Sequence, residues 1–167
     1  IDHVLGFFRI WEIPGSSVDG LLGQFSPSWP LALDDLRARG LAYFDHDRFC
    51  RPYSQDYMLE RYLGGAENAQ AARLGYLNAL GNGAYELRPA YATQRLISDH
   101  FALLLERRAR EGSLTPAERQ RLEALRDGLM RLCTEVLFLP ARNAPGCYSP
   151  RVGVESTQSF RDLCPEL

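Results

Sequence analysis

Two neighbouring amphipathic segments in the second half of the chain constrain its fold more than any other sequence feature. The first runs from about Thr93 to Arg110, and its apolar residues recur at the spacing of one helical face. These residues are Leu96, Ile97, Phe101, Leu104 and Leu105. Gly112 ends this predicted helix, as glycine commonly does at the first position beyond a helix C-terminus.

The second segment begins with a recognisable helix start. Thr115 fits the N-cap, Pro116 fits the first helical position, and Glu118 can return a hydrogen bond to the Thr115 amide. Because the connection between the segments is short, the two helices are predicted to be antiparallel neighbours. The inner face of the second helix is predicted to consist of Leu122, Leu125, Leu129, Leu132 and Val136.

The rest of the chain also favours helix, so the predicted fold class is mainly α. Residues 15–30 are rich in glycine, serine and proline and predict a loop. Short strands are predicted at 85–88 and 136–139, and a turn of helix near 159–163. Helices are predicted at 33–39, 54–63 with Ser54 as its cap, 66–80, 93–111 and 116–135.

Composition excludes several classes of function. The chain has 167 residues, of which 46% are hydrophobic, and a net charge of -2, which gives no electrostatic basis for nucleic-acid binding. No apolar run approaches the roughly 20 residues of a membrane span. All 19 basic residues are arginine, which excludes lysine Schiff-base chemistry and the usual phosphate-binding loop. The four cysteines lack metal-ligand spacing and favour free thiols in a reducing cytoplasm.

The first residues carry the sharpest chemical signal. An apolar residue, Asp2 and His3 precede an aromatic-rich run, which is typical of a buried strand that ends in a carboxylate on a loop. In barrel enzymes, acids at the C-terminal ends of strands are the usual catalytic residues. The alternative is that Asp2 and His3 are structural, with His3 a partly buried histidine.

Five motifs, in order, resemble the 4-alpha-glucanotransferases, which are the amylomaltases or disproportionating enzymes of glycoside hydrolase family 77. The closer likeness is to the large form of the family, typified by the plant cytosolic disproportionating enzyme. The first motif resembles the nucleophile segment of the family. The motifs are Ile1-Asp2-His3 with Trp11-Glu12-Ile13-Pro14, Phe25 to Leu31 with Asp34-Asp35-Leu36, Phe44 to Arg48 with Arg51-Pro52-Tyr53, Tyr148 to Val152, and Thr157 to Leu163.

The resemblance implies a fold as well as an activity. A whole (β/α)8 barrel needs about 250 residues, so this chain is expected to be an internal fragment: the helical insertion segment of such a barrel, with one barrel strand end at its N-terminus. It is expected to form a single fragment. Its parts would be a strand end and active-site loop at 1–32, a mainly helical insertion at 33–139 and a loop-rich return at 140–167.

The implied activity is retaining transfer of α-1,4-glucan segments without cofactor or metal, in the cytoplasm. The implied partners are maltose, maltooligosaccharides and larger α-1,4-glucans, with no nucleic acid and no membrane. Asp2 would be the nucleophile, His3 would support the site beside Asp2 by binding a sugar hydroxyl, and Trp11 would either stack on glucose or pack beneath the site. The family's acid/base glutamate and third carboxylate have no match in this chain, so the isolated chain is expected to be inactive.

A rival interpretation is a helical interaction or carbohydrate-contacting domain without chemistry of its own. It rests on the predicted helical pair and on the missing acid/base residue. Other candidate groups favour structural roles. Asp45-His46-Asp47 is predicted to be a solvated turn rather than a metal site, His100 a helix-face histidine, and Arg107, Arg108 and Arg110 a solvated helix end.

Overall fold

The computed structural model describes residues 9–163, which form two compact units. The central unit comprises residues 52–135, and the discontinuous unit combines residues 9–51 with residues 136–163. Within the described range the chain is mainly α-helical, with seven α-helices and short strands. None of the helices at 9–163 is both long and apolar enough to cross a membrane.

The central unit consists of four helices and a β-hairpin. Helices α3 (Asp56–Leu63) and α4 (Ala66–Gly75) precede strands β4 (Leu77–Gly81) and β5 (Ala84–Leu87). Helices α5 (Gln94–Arg110) and α6 (Pro116–Leu132) follow and pack against each other. The apolar faces of all four helices form one core, which includes Met58, Leu59, Leu63, Ala69, Leu77, Ile97, Phe101, Leu125, Leu129 and Leu132.

A glycine allows α3 and α6 to approach closely. A Cβ atom at Gly128 would overlap with the carbonyl oxygen of Tyr62 and would lie 2.8 Å from the Cα of Leu63. Only glycine therefore fits this point of α6, despite its low helix propensity. The buried Asn68 of α4 ties the same helices together, since its amide donates hydrogen bonds to the carbonyls of Leu63 (2.6 Å) and Arg121 (3.1 Å).

The discontinuous unit contains two small antiparallel sheets and three short helices. Strands β1 (Ile10–Glu12) and β2 (Gln24–Ser26) form a hairpin in which Trp11 pairs with Phe25. Strand β7 (Cys147–Pro150) lies between β3 (Leu31–Ala32) and β6 (Phe138–Pro140). The helices are α1 (Leu33–Ala38), α2 (His46–Cys50) and α7 (Gln158–Leu163), and the ring of Phe44 contacts the rings of Phe49, Phe138 and Tyr148.

Most predicted helices are confirmed within a few residues, and the predicted cap of α6 is present. The Thr115 hydroxyl accepts a hydrogen bond from the Glu118 amide at 3.1 Å. The predicted inner face of α6 is buried throughout, whereas Leu96, assigned to the inner face of α5, is 44% exposed. The Glu118 carboxylate, expected to face the Thr115 amide, lies 3.9 Å from the Arg121 guanidinium.

Three predictions of local structure are wrong. The helix predicted at 66–80 ends at Gly75, because the following residues pair with β5 across a turn in which Asn82 and Gly83 both have positive φ. A two-residue turn with positive φ at both positions matches the right-handed twist of the two strands that it joins. Gln55, not Ser54, occupies the N-cap of α3. The segment 15–30, predicted to be a loop, contains β2.

We expect Thr115→Ala to destabilise the chain by about 1 kcal/mol, because one orphan amide at the start of α6 loses its acceptor. Urea unfolding measures the change. Thr115→Ser is the matched control, since it keeps the hydroxyl and should retain most of the stability. An unchanged midpoint for the alanine variant would mean that the cap contributes nothing.

We expect Gly128→Ala to destabilise the chain by about 2 kcal/mol or more, because the added methyl group meets backbone atoms of α3 that cannot move aside. Gly75→Ala is the control: Gly75 is also helical, has no atom within 4 Å of an added Cβ, and should be neutral or slightly stabilising. Equal unfolding midpoints for the two variants would contradict the close approach of the helices.

Candidate functional site

The β1–β2 hairpin follows the predicted nucleophile segment in the chain and fixes the position of Trp11. The indole Nε1 of Trp11 donates a hydrogen bond to the Gly20 carbonyl at 3.2 Å. The ring meets Phe25 edge-on, with centroids 4.8 Å apart. A Cβ atom at Gly23 would overlap with the indole, so only glycine at this loop position leaves room for the ring.

One cleft of the discontinuous unit, the aromatic cleft, lies beside this hairpin. Its volume is about 270 Å³. The guanidinium of Arg9 lies 4.2 Å from the centre of the Phe25 ring, within the range of a cation–π interaction. Trp29, on the loop between β2 and β3, is 92% exposed. The cleft is lined by Arg9, Trp11, Phe25, Trp29, Ser149 and Val152 among others.

A second cleft, the polar cleft, shares Gln24, Phe25 and Ser28 with the first and has a volume of about 220 Å³. The carboxylate of Glu12 lies 3.3 Å from the guanidinium of Arg142. The side-chain amide of Gln24 donates a hydrogen bond to the Pro140 carbonyl at 3.0 Å. The polar cleft therefore presents a carboxylate, a guanidinium and an amide, which are groups suited to binding hydroxyls.

The predicted site residues differ in what the structure says of them. Asp2 and His3 lie outside the described residues. Trp11 is described, and it lines the aromatic cleft while Phe25 and Gly23 pack against part of its ring. Sequence reasoning assigned no role to Arg9 or Trp29. The sequence did contain a sign that Trp29 is exposed, since this tryptophan lies in a loop rich in serine and proline at Ser26 to Pro30.

The remaining candidate groups have structural explanations. Asp45 is the N-cap of α2 and accepts a hydrogen bond from the Arg48 amide at 3.1 Å, while Asp47 forms an ion pair with Arg51 at 3.0 Å. No cluster of histidine, cysteine and carboxylate side chains that could hold a metal ion occurs within residues 9–163. The segment predicted to be a solvated turn is thus the beginning of a helix.

Burial shifts the pKa values of Cys50 and His100, two groups that could otherwise be considered for chemistry. Burial raises the pKa of the Cys50 thiol to about 11, which leaves it protonated and unreactive at neutral pH. Burial lowers the pKa of His100, and Arg107 lowers it further. The His100 ring packs among Tyr76, Tyr91 and Phe101. Neither residue lines the two clefts.

Comparison with known proteins finds a relative that aligns with nearly the whole chain. The chain is 33% identical to the 4-alpha-glucanotransferase DPE2 of Oryza sativa subsp. japonica, in an alignment of 169 positions that covers 98% of the chain. It spans 16% of the length of that relative. No model of a protein family matches the chain, and no solved structure matches it. The identity extends over nearly the whole chain, in agreement with the five motifs, and supports a fragment of the 4-alpha-glucanotransferase family.

Proposed function

We propose that this chain is part of an enzyme that transfers α-1,4-glucan segments between maltose, maltooligosaccharides and larger glucans. The observation that carries the proposal is the 33% identity to a 4-alpha-glucanotransferase over 98% of the chain. The motif Ile1-Asp2-His3, followed by Trp11-Glu12-Ile13-Pro14, supports it because it resembles the nucleophile segment of that family.

In the proposed reaction, the Asp2 carboxylate attacks the anomeric carbon of the donor glucan. The glycosidic bond to the leaving glucan breaks as a second carboxyl group protonates the departing oxygen, and a glycosyl ester with Asp2 forms. The second group then deprotonates a hydroxyl of the acceptor, whose oxygen attacks the anomeric carbon. The new glycosidic bond forms as the bond from that carbon to the Asp2 oxygen breaks, which regenerates the Asp2 carboxylate. Retaining enzymes of this kind place the two carboxyl groups about 5–5.5 Å apart.

His3 and Trp11 are proposed to contact the sugar. For His3 the support is its place beside Asp2 in the motif. For Trp11 it is the position of the indole in the wall of the aromatic cleft, where an apolar ring face suits the apolar face of a glucose unit. The reaction needs no cofactor or metal ion. The free thiols Cys50 and Cys147 fit a reducing, cytoplasmic location.

Asp2→Asn in the full-length enzyme is expected to reduce glucan transfer by more than about a thousandfold, because an amide cannot form the glycosyl ester. Release of glucose from maltotriose measures the transfer, and circular dichroism checks that the fold is intact. Asp34→Asn is the matched control, since the Asp34 side chain is 94% exposed and its ion pair with Arg37 lies on the surface. Full activity of Asp2→Asn would remove Asp2 from the mechanism.

The isolated 167-residue chain is expected to release no glucose from maltotriose and to trap no glycosyl adduct. The reason is chemical: leaving-group departure needs an acid, and no carboxyl group of the chain matches the family's acid/base glutamate. Mass spectrometry of the protein after incubation with maltotriose, whose leaving oxygen requires protonation, tests for the adduct. Measurable transfer would mean that a second carboxylate within these residues completes the site.

A further inference from the structure

Trp29 is the most exposed large apolar side chain of the described residues, and the fold does not explain its position. With 92% of its surface in water, the indole lacks the burial that stabilises large apolar side chains in folded proteins. Pro27 and Pro30 flank it closely in the loop and restrict the backbone on both sides. The loop therefore holds an indole at the edge of the aromatic cleft, in solvent.

The surroundings of Trp29 combine ring faces with charged and amide groups. In the aromatic cleft, Trp29 is accompanied by Arg9, Trp11 and Phe25. The adjoining polar cleft presents the Glu12–Arg142 ion pair, the two partners being 3.3 Å apart. A ligand that crosses both clefts must offer apolar surface to the rings and hydroxyl or amide groups to the polar side chains.

A glucose unit meets both requirements. One face of its ring carries C–H groups that pack against an indole, while its rim carries hydroxyls that exchange hydrogen bonds with carboxylate, guanidinium and amide groups. The clefts, at about 270 Å³ and 220 Å³, are slightly smaller than the roughly 300–1,000 Å³ sites of drug-sized ligands. Each therefore suits about one sugar unit of a longer chain.

We propose that the two clefts form a glucan-binding subsite, in which Trp29 stacks on one glucose unit and the Glu12–Arg142 pair binds the hydroxyls of a neighbouring unit. The choice of an α-1,4-glucan as the ligand rests on the proposed function. The subsite would hold a stretch of glucan chain through groups that form no bond with the anomeric carbon. Its occupation would therefore raise affinity for long glucans rather than the rate of the chemical step.

The first test uses the fact that the chain contains two tryptophans, Trp11 and Trp29. Titrating wild type and Trp29→Phe side by side assigns to Trp29 the part of the emission change that only wild type shows, and it leaves Trp11 in place in the wall of the cleft. Titration with maltoheptaose should shift the Trp29 emission to shorter wavelength and protect it from acrylamide quenching. Cellohexaose, with β-linked glucose units, serves as the comparison ligand. A Trp29 emission that maltoheptaose leaves unchanged would overturn the proposal.

The second test measures affinity for maltoheptaose by calorimetry. Trp29→Ala should weaken binding by about tenfold, and Trp29→Phe by less, because a smaller ring still stacks. The exposed position of Trp29 means that neither change removes core packing. Tyr43→Ala is the matched control: Tyr43 is 75% exposed and lines neither cleft, so affinity should not change. Equal affinities of wild type and Trp29→Ala, or no binding by wild type, would exclude the subsite.

A third test uses the full-length enzyme and separates this proposal from the proposed function. Trp29→Ala should raise KM for maltoheptaose about tenfold and leave kcat and the KM for maltose unchanged. If Trp29 is instead covered by another part of the polypeptide, KM will not change and the subsite is excluded, whatever Asp2→Asn shows. If the chain binds glucan but the full-length protein transfers none, the proposed function fails and the subsite stands.

Discussion

The central unit depends on the close approach of α3 and α6 at Gly128. Because this residue has no side chain, the Tyr62 carbonyl and the Leu63 backbone lie against the α6 backbone itself. Because the helices lie so close, Leu63, Leu125 and Leu129 pack in one core and are almost fully buried. Dense packing of this kind leaves no room for an added methyl group, so one glycine governs the spacing of the helices.

A similar constraint operates in the discontinuous unit, where Gly23 leaves room for the indole of Trp11. The packed indole stiffens the β1–β2 hairpin, and the hairpin supports the wall shared by the two clefts at Gln24 and Phe25. The adjoining loop presents Trp29 in solvent. The two glycines thus have different structural roles. Gly128 allows two helices to pack closely, whereas Gly23 leaves room for an aromatic side chain beside the clefts.

The candidate site was predictable only in part. The motif around Asp2 resembles the nucleophile segment of the family, and the identity to a 4-alpha-glucanotransferase covers 98% of the chain. Pattern alone did not reveal that Glu12 and Arg142, which lie 130 positions apart, form an ion pair at 3.3 Å. Sequence spacing carries no information about such a distant contact, because Glu12 lies on β1 and Arg142 follows β6 of the other sheet, and only the packing of the folded unit brings them together.

The sequence by itself determined the helices whose signals are local: the Thr115 cap and the 3.6-residue periodicity place α6 without any knowledge of its partners. Tertiary structure decided the conformation of segments that must pair or pack with a distant part of the chain. Residues after Gly75 follow an alanine-rich helix, yet they form β4 because β5 and the Asn82-Gly83 turn offer them a hydrogen-bonded partner. Hydrogen bonds within a helix link residues four apart, whereas strand pairs and clefts join segments whose separation only the folded chain sets.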